Sequence, residues 1–117
     1  MDRHIRVLIV EDNPDHAEVI ARLLASEESF RYVTEQVTTV ADAIAKVKQG
    51  GIDAVLLDLS LPDGIGVDVI RRVKYAIDAS STTKILVLTG WGGPEIIPVA
   101  KELGAEDVLT KPADPLT

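Results

Sequence analysis

The sequence of 117 residues contains no cysteine. Disulfide bonds, thiolate metal sites and cysteine nucleophiles are therefore excluded. Long apolar runs are also missing: the first run, residues 7–10, is far too short for a signal peptide or a membrane-spanning helix, and no other window comes close. We therefore expect a cytoplasmic protein that does not interact with membranes.

The charge is unbalanced toward the acidic side, with a formal net charge of −7 and a pI near 4.7. An acidic chain repels nucleic-acid phosphates, which argues against direct DNA or RNA binding by this segment. Apolar residues make up 46% of the chain, which is enough for one hydrophobic core. The length is that of one ordinary domain, so we expect a single domain over residues 1–117.

The apolar pattern predicts five strands that alternate with four helices. Continuous apolar runs indicate strands buried on both faces, and their alternation with helices is typical of a doubly wound parallel sheet. Asn13 and Pro14 predict the start of the first helix, which runs to about Ser26. The predicted strands cover residues 7–10, 32–37, 52–57, 84–88 and 107–110.

The later helices carry their own boundary signals. Thr39 is a candidate cap for the second helix, which Gly50 ends. The third helix carries an apolar face that reaches Ile77. Because proline disrupts a helix interior, we expect the fourth helix to be short and to begin near Pro98.

Polar residues follow four of the strands. These residues are Glu11, Asp12, Asp58, Thr89 and Lys111. Ligands of open α/β sheets bind beyond the carboxyl ends of the strands, so these side chains should converge on one edge. Two carboxylates about 5 Å apart repel by roughly 3 kcal/mol at an effective dielectric near 20, and one lysine cannot offset three such pairs. We therefore predict that the site binds a divalent cation. A site with few carboxylate ligands leaves coordination positions for water, which favours Mg²⁺.

Phosphoryl transfer fits this set of groups. Asp58 is the candidate nucleophile for an acyl phosphate, since it is single and central. Lys111 and the hydroxyl of Thr89 can neutralise phosphoryl oxygens. We expect Asp12 to bind the metal directly and Glu11 to bind it through water.

Four motifs in this order resemble the receiver domain of two-component response regulators over nearly the whole chain. They are VLIVEDN at 7–13, LDLSLPDG at 57–64, LTG at 88–90 and LTKP at 109–112. The resemblance implies a flavodoxin-like sheet of order 2-1-3-4-5. It also implies Mg²⁺-dependent phosphorylation of Asp58 by a sensor histidine kinase or phosphotransfer protein.

The resemblance assigns further residues. The backbone carbonyl of Ser60 would be a metal ligand, and the Lys111–Pro112 bond would be cis. Thr89 would move toward the phosphoryl group. Ser60 and Trp91 would stand at positions that tune dephosphorylation in this family.

Besides the proline in the fourth helix, the sequence departs from the family at two places. Val108 stands where an aromatic switch residue is usual, and none of the few aromatic residues is placed to substitute. Only residues 113–117 follow the Lys-Pro pair, so the usual fifth helix should be missing or truncated. A helix covering about 400 Å² of apolar sheet contributes roughly 10 kcal/mol. We therefore expect a truncated chain, part of a longer protein, or a dimer through the open face.

Two alternatives remain. A Mg²⁺-dependent aspartyl phosphohydrolase commonly has a second aspartate two residues after the nucleophile, where this chain has Ser60. A phosphorylation-independent interaction module would retain the fold but lose the acidic cluster. We expect no catalysis beyond the chain's own phosphorylation and dephosphorylation.

Overall fold

A computed structural model describes residues 4–90 and 95–110 of the chain. The strands are β1 (His4–Val10), β2 (Arg31–Val37), β3 (Ala54–Asp58), β4 (Ser60–Leu61), β5 (Gly64–Ile65), β6 (Lys84–Thr89) and β7 (Asp107–Thr110). The helices are α1 (Pro14–Ala25), α2 (Val40–Gln49), α3 (Asp68–Ala76) and α4 (Ile96–Glu102).

Five strands form one parallel sheet in the order β2-β1-β3-β6-β7. This is the predicted doubly wound order, since β4 and β5 pair only with each other as a short antiparallel ribbon. The ribbon lies in the connection between β3 and α3. Strand β2 is added on one side of β1 and β3 on the other, so the direction of winding reverses at β1 and β3, whose carboxyl ends lie side by side.

The core has two parts, one on each face of the sheet, because successive strand side chains point to opposite faces. The larger part contains Leu8, Val55 and Val87 and packs against α2, α3 and α4. The smaller part contains Val7, Ile9, Leu56 and Leu88 and packs against Ala17 and Ile20 of α1. This two-sided burial explains why the strand sequences are continuously apolar.

The predicted helix starts at Asn13 and Thr39 are confirmed. The Asn13 side chain accepts hydrogen bonds from the amides of Asp15 and His16, and Pro14 occupies the first helical position. The Thr39 hydroxyl accepts a hydrogen bond from the Asp42 amide. Gly50 ends α2 with a φ of 80°, a conformation that glycine adopts readily.

Several boundaries differ from the prediction; β1, for example, begins at His4. Helix α4 begins at Ile96, so Pro98 is its third residue. The first four amides of a helix have no intrahelical partner, so proline in the first turn removes no hydrogen bond. Ile77 has extended backbone and ends α3 rather than continuing it. Ile52 is buried but precedes β3, which begins at Ala54.

The second face of the sheet carries α1 as its one helix within residues 4–90 and 95–110. Leu109 of β7 pairs in register with Leu88 on this face and is 41% exposed. The four described helices agree with the predicted lack of a fifth helix; residues 113–117 lie outside the described ranges. Val108 packs against the larger core on the opposite face.

Candidate acidic site at the strand ends

The candidate site lies at the carboxyl ends of β1, β3 and β6. Glu11 and Asp12 directly follow β1, while Asp58 and Thr89 are the last residues of β3 and β6. The parallel register aligns Asp58 with Leu88, so Thr89 lies one residue farther along the neighbouring strand. The sheet therefore places four of the five predicted residues at the carboxyl ends of adjacent strands, and Lys111 lies outside the described residues.

The three carboxylates form a tight cluster. One oxygen each of Glu11, Asp12 and Asp58 lies within 4.8 Å of the other two. Glu11 and Asp58 are 1% and 6% exposed, whereas Asp12 is exposed. At this distance each like-charged pair repels by about 3 kcal/mol at an effective dielectric near 20. An all-oxygen cluster with two buried carboxylates and one exposed carboxylate fits a hard divalent cation that retains water ligands.

A bend directly after β1 lets two consecutive acidic residues reach the same site. The chain bends at Asp12, and the Asn13 cap starts α1 immediately afterwards. Strand alternation alone would direct Glu11 and Asp12 to opposite faces. The bend removes this constraint and explains how both carboxylates join Asp58.

Glu11 is held at its backbone and at its side chain. Its amide donates to the carbonyl of Val37 at 3.0 Å, and its carbonyl accepts from Nε2 of Gln36 at 2.9 Å. Its Oε1 lies 3.0 Å from Nδ1 of His16 on the first turn of α1. These contacts fix a buried carboxylate beside Asp58.

The site opens into a cleft of about 330 Å³. The cleft is large enough for a hydrated cation and a phosphoryl group, and exposed Asp12 and Ser60 stand at its solvent side. Trp91 and Pro112 lie outside the described residues. The cleft is lined by Glu11, Asp12, Asn13, His16, Asp58, Ser60 and Gly90.

The family model of the response regulator receiver domain matches residues 7–117. The chain belongs to this family. The acidic cluster of this receiver domain therefore lies in a module of two-component signalling.

Relatives support the same assignment. The acid tolerance regulatory protein ActR of Rhizobium meliloti is 37% identical over 108 residues, which is 92% of this chain and 53% of ActR. The phosphorylated cyanobacterial phytochrome response regulator RcpA has a TM-score of 0.78 at 26% identity, covering 95% of this receiver domain and 83% of RcpA.

A response regulator from Burkholderia pseudomallei, solved with a phosphorylated aspartic acid, calcium ion and citrate, has a TM-score of 0.76 at 25% identity. The similarity covers 94% of this chain and 61% of that one. The receiver domain spans about half the length of the curated relatives it matches, from 40% to 53%. Within the described ranges, no helix is both long and apolar enough to cross a bilayer.

Asp63 ties the site of this receiver domain to α2. Its two carboxylate oxygens accept hydrogen bonds from the amides of Val40 at 2.7 Å and Ala41 at 3.0 Å. The Val40 amide, followed by that of Ala41 and the charge of Arg72, holds the pKa of Asp63 below its ordinary value. The segment that carries Ser60 is thus fastened to the first turn of a neighbouring helix.

Sequence reasoning did not find three of these supporting residues. In the sequence, Asp63 stands out only as part of the LDLSLPDG motif. In the structure it caps a helix that begins 23 residues earlier in the chain. Gln36 reaches Glu11 from the edge strand across 25 residues, and no local pattern signals such a contact. His16 contacts Glu11 from the first turn of α1, and the sequence alone does not indicate this contact.

Proposed function

We propose that this receiver domain accepts a phosphoryl group on Asp58 from a phosphohistidine of a sensor histidine kinase or phosphotransfer protein, in a Mg²⁺-dependent reaction. The observation that carries the proposal is the gathering of Glu11, Asp12 and Asp58 within 4.8 Å at the carboxyl edge of the sheet. The similar response regulator from Burkholderia pseudomallei carries a phosphorylated aspartic acid, which supports the same chemistry.

Asp58 is the nucleophile in this proposal. Its carboxylate oxygen attacks phosphorus, the phosphorus–nitrogen bond of the donor breaks, and the imidazole of the donor leaves with the electron pair. The product is an acyl phosphate. The burial of Asp58 beside the cleft keeps this carboxylate at a fixed position next to a space that admits the donor.

The cation ligands in this proposal are the carboxylates of Asp12 and Asp58, the backbone carbonyl of Ser60, and Glu11 through water. A bound Mg²⁺ supplies the positive charge that offsets the carboxylates and the phosphoryl oxygens. Bound water completes the coordination, as is usual for Mg²⁺ in proteins.

Thr89 and Lys111 contact the remaining phosphoryl oxygens in this proposal, and a cis peptide before Pro112 places the lysine. Thr89 moves toward the phosphoryl group on activation. Val108 cannot act as an aromatic switch, so the output relies on Thr89 and the neighbouring loops. Ser60 and Trp91 set the access of water and therefore the rate of dephosphorylation.

The wider assignment rests on the relatives. Because those relatives are about twice as long, we include in the proposal that residues 1–117 are the regulatory part of a longer cytoplasmic response regulator. The proposal also includes a dimer in which a second copy of the chain covers the sheet face at Leu109. Light scattering that shows a monomer at all concentrations would refute the dimer.

Acetyl phosphate with Mg²⁺, followed by intact-mass spectrometry, tests the central step. The wild-type chain should gain one phosphoryl group and lose this reactivity in EDTA. Asp58→Asn should gain none, whereas the control Asp53→Asn, at the opposite edge of the sheet, should react like the wild type.

Two other results would refute the proposal. Labelling of Asp58→Asn would show that another residue accepts the phosphoryl group. Steady turnover of acetyl phosphate without a stable adduct would indicate a phosphohydrolase.

A further inference from the structure

A histidine contacts one of the candidate cation ligands. Nδ1 of His16 lies 3.0 Å from Oε1 of Glu11. When Glu11 is ionised, as a cation ligand must be, its carboxylate has no hydrogen to donate and the ring nitrogen is the donor. The Glu11 side chain is 1% exposed, whereas that of His16 is 51% exposed and lines the cleft.

Both partners of this hydrogen bond are held in place. The amide of His16 donates to the Asn13 side chain at 3.2 Å, which fixes the first turn of α1. The backbone of Glu11 is bound to Val37 and Gln36. The contact with His16 therefore restrains the orientation of the Glu11 carboxylate.

His16 acts through Glu11 and not as a ligand itself. Among the described residues, the ligand atoms that lie within 4.8 Å of one another come from Glu11, Asp12 and Asp58. His16 is not a member of this group. Its effect on a cation must pass through the orientation of Glu11.

We infer that His16 is a positioning residue that makes the site prefer Mg²⁺ over Ca²⁺. Ca²⁺ takes six to eight oxygen ligands and often binds both oxygens of a carboxylate, whereas Mg²⁺ keeps six ligands with several waters. The hydrogen bond from His16 to Oε1 hinders Glu11 from giving both oxygens to one cation, which keeps Glu11 in the water-mediated role proposed above. This arrangement suits the smaller cation and handicaps the larger one. The inference rests on the proposed function, in which the acidic cluster binds a divalent cation.

Calorimetric titration of Mg²⁺ and of Ca²⁺ at one fixed pH tests the inference. His16→Leu keeps side-chain bulk but removes the donor, whereas His16→Asn retains a donor close to the position of Nδ1. His4→Leu, which removes the chain's other histidine at the opposite end of β1, is the matched control.

His16→Leu should weaken Mg²⁺ binding about tenfold, as is common for residues that orient metal ligands. Ca²⁺ binding should weaken less or strengthen, so the ratio of the Ca²⁺ to the Mg²⁺ dissociation constant should fall. His16→Asn should restore most of the wild-type ratio, and His4→Leu should leave it unchanged. This readout requires no phosphorylation.

A ratio that His16→Leu leaves unchanged, or equal weakening of both cations, would overturn the inference while leaving the proposed function intact. Equal losses in His16→Leu and His16→Asn would overturn it as well, since the donor would then not matter. A wild-type chain that binds neither cation would refute the proposed function itself, and the inference with it.

Discussion

Neutralising Asp12 should stabilise the cation-free domain. Its carboxylate lies within 4.8 Å of those of Glu11 and Asp58. Each pair costs about 3 kcal/mol at an effective dielectric of 20 but only about 1 kcal/mol in bulk water. Because Asp12 is exposed, the lower value applies, and two pairs give a gain of about 1–2 kcal/mol for Asp12→Asn. The dipole of α1 favours the negative charge by roughly 0.5 kcal/mol, which leaves a net gain near 1 kcal/mol.

Urea unfolding in EDTA measures this gain. With an m-value of about 2 kcal/mol/M, the midpoint of Asp12→Asn should lie about 0.5 M above that of the wild type. Mg²⁺ at about 100 times its dissociation constant should add about 2.7 kcal/mol to the wild type. The variant lacks the direct ligand that we propose, so it should gain much less and the order of stabilities should reverse.

Glu28→Gln is the control for net charge, since it also removes one negative charge but from the exposed connection between α1 and β2. Its midpoint in EDTA should match the wild type. A midpoint for Asp12→Asn at or below the wild-type value in EDTA would refute the reasoning, because the cluster would then carry no net repulsion. A wild-type midpoint that does not respond to Mg²⁺ would refute the cation site.

Three further predictions concern the scaffold. Asp63→Asn should lower the urea midpoint at pH 7. Because the native pKa of Asp63 is depressed, the difference in midpoint between the wild type and the variant should disappear as the pH falls through that pKa. A difference in midpoint that stays constant with pH would contradict this. Leu57→Ala, at a fully buried position, should lower the free energy of unfolding by about 2–5 kcal/mol, whereas Leu23→Ala, at 56% exposure, should cost far less in the same urea titration. Gly64→Ala should cost about 1–3 kcal/mol by thermal denaturation, because a Cβ there would lie 3.0 Å from side-chain atoms of Val40 and Val69; an unchanged melting temperature would show that these neighbours yield freely.

The fold could be predicted from the sequence because its determinants are local. The apolar run before Glu11 indicates a strand buried on both faces, and Asn13 with Pro14 marks a helix start. The errors also have local causes. Pro98 was placed at the start of α4 because the sequence does not show which turn of the helix a proline occupies. Ile52 is buried without belonging to a strand, so its apolar character shifted the predicted boundary.

The site could be predicted only in part. Strand ends identify Glu11, Asp12 and Asp58, since the sheet topology brings the ends of β1 and β3 together and the bend at Asp12 directs both acidic residues to the same site. The contacts that orient them are not encoded locally. His16 and Gln36 reach Glu11 from a helix and from an edge strand, and both depend on how those elements pack.

The cap that Asp63 supplies to α2 also has a consequence for hydrogen exchange. Two amides on the first turn of α2, those of Val40 and Ala41, donate hydrogen bonds to the carboxylate of Asp63, which lies between β4 and β5. Their protons can exchange with solvent only when Asp63 releases them, because α2 itself offers its first amides no acceptor. The exchange rates of the Val40 and Ala41 amides therefore measure how often the segment that carries Asp63 detaches from α2.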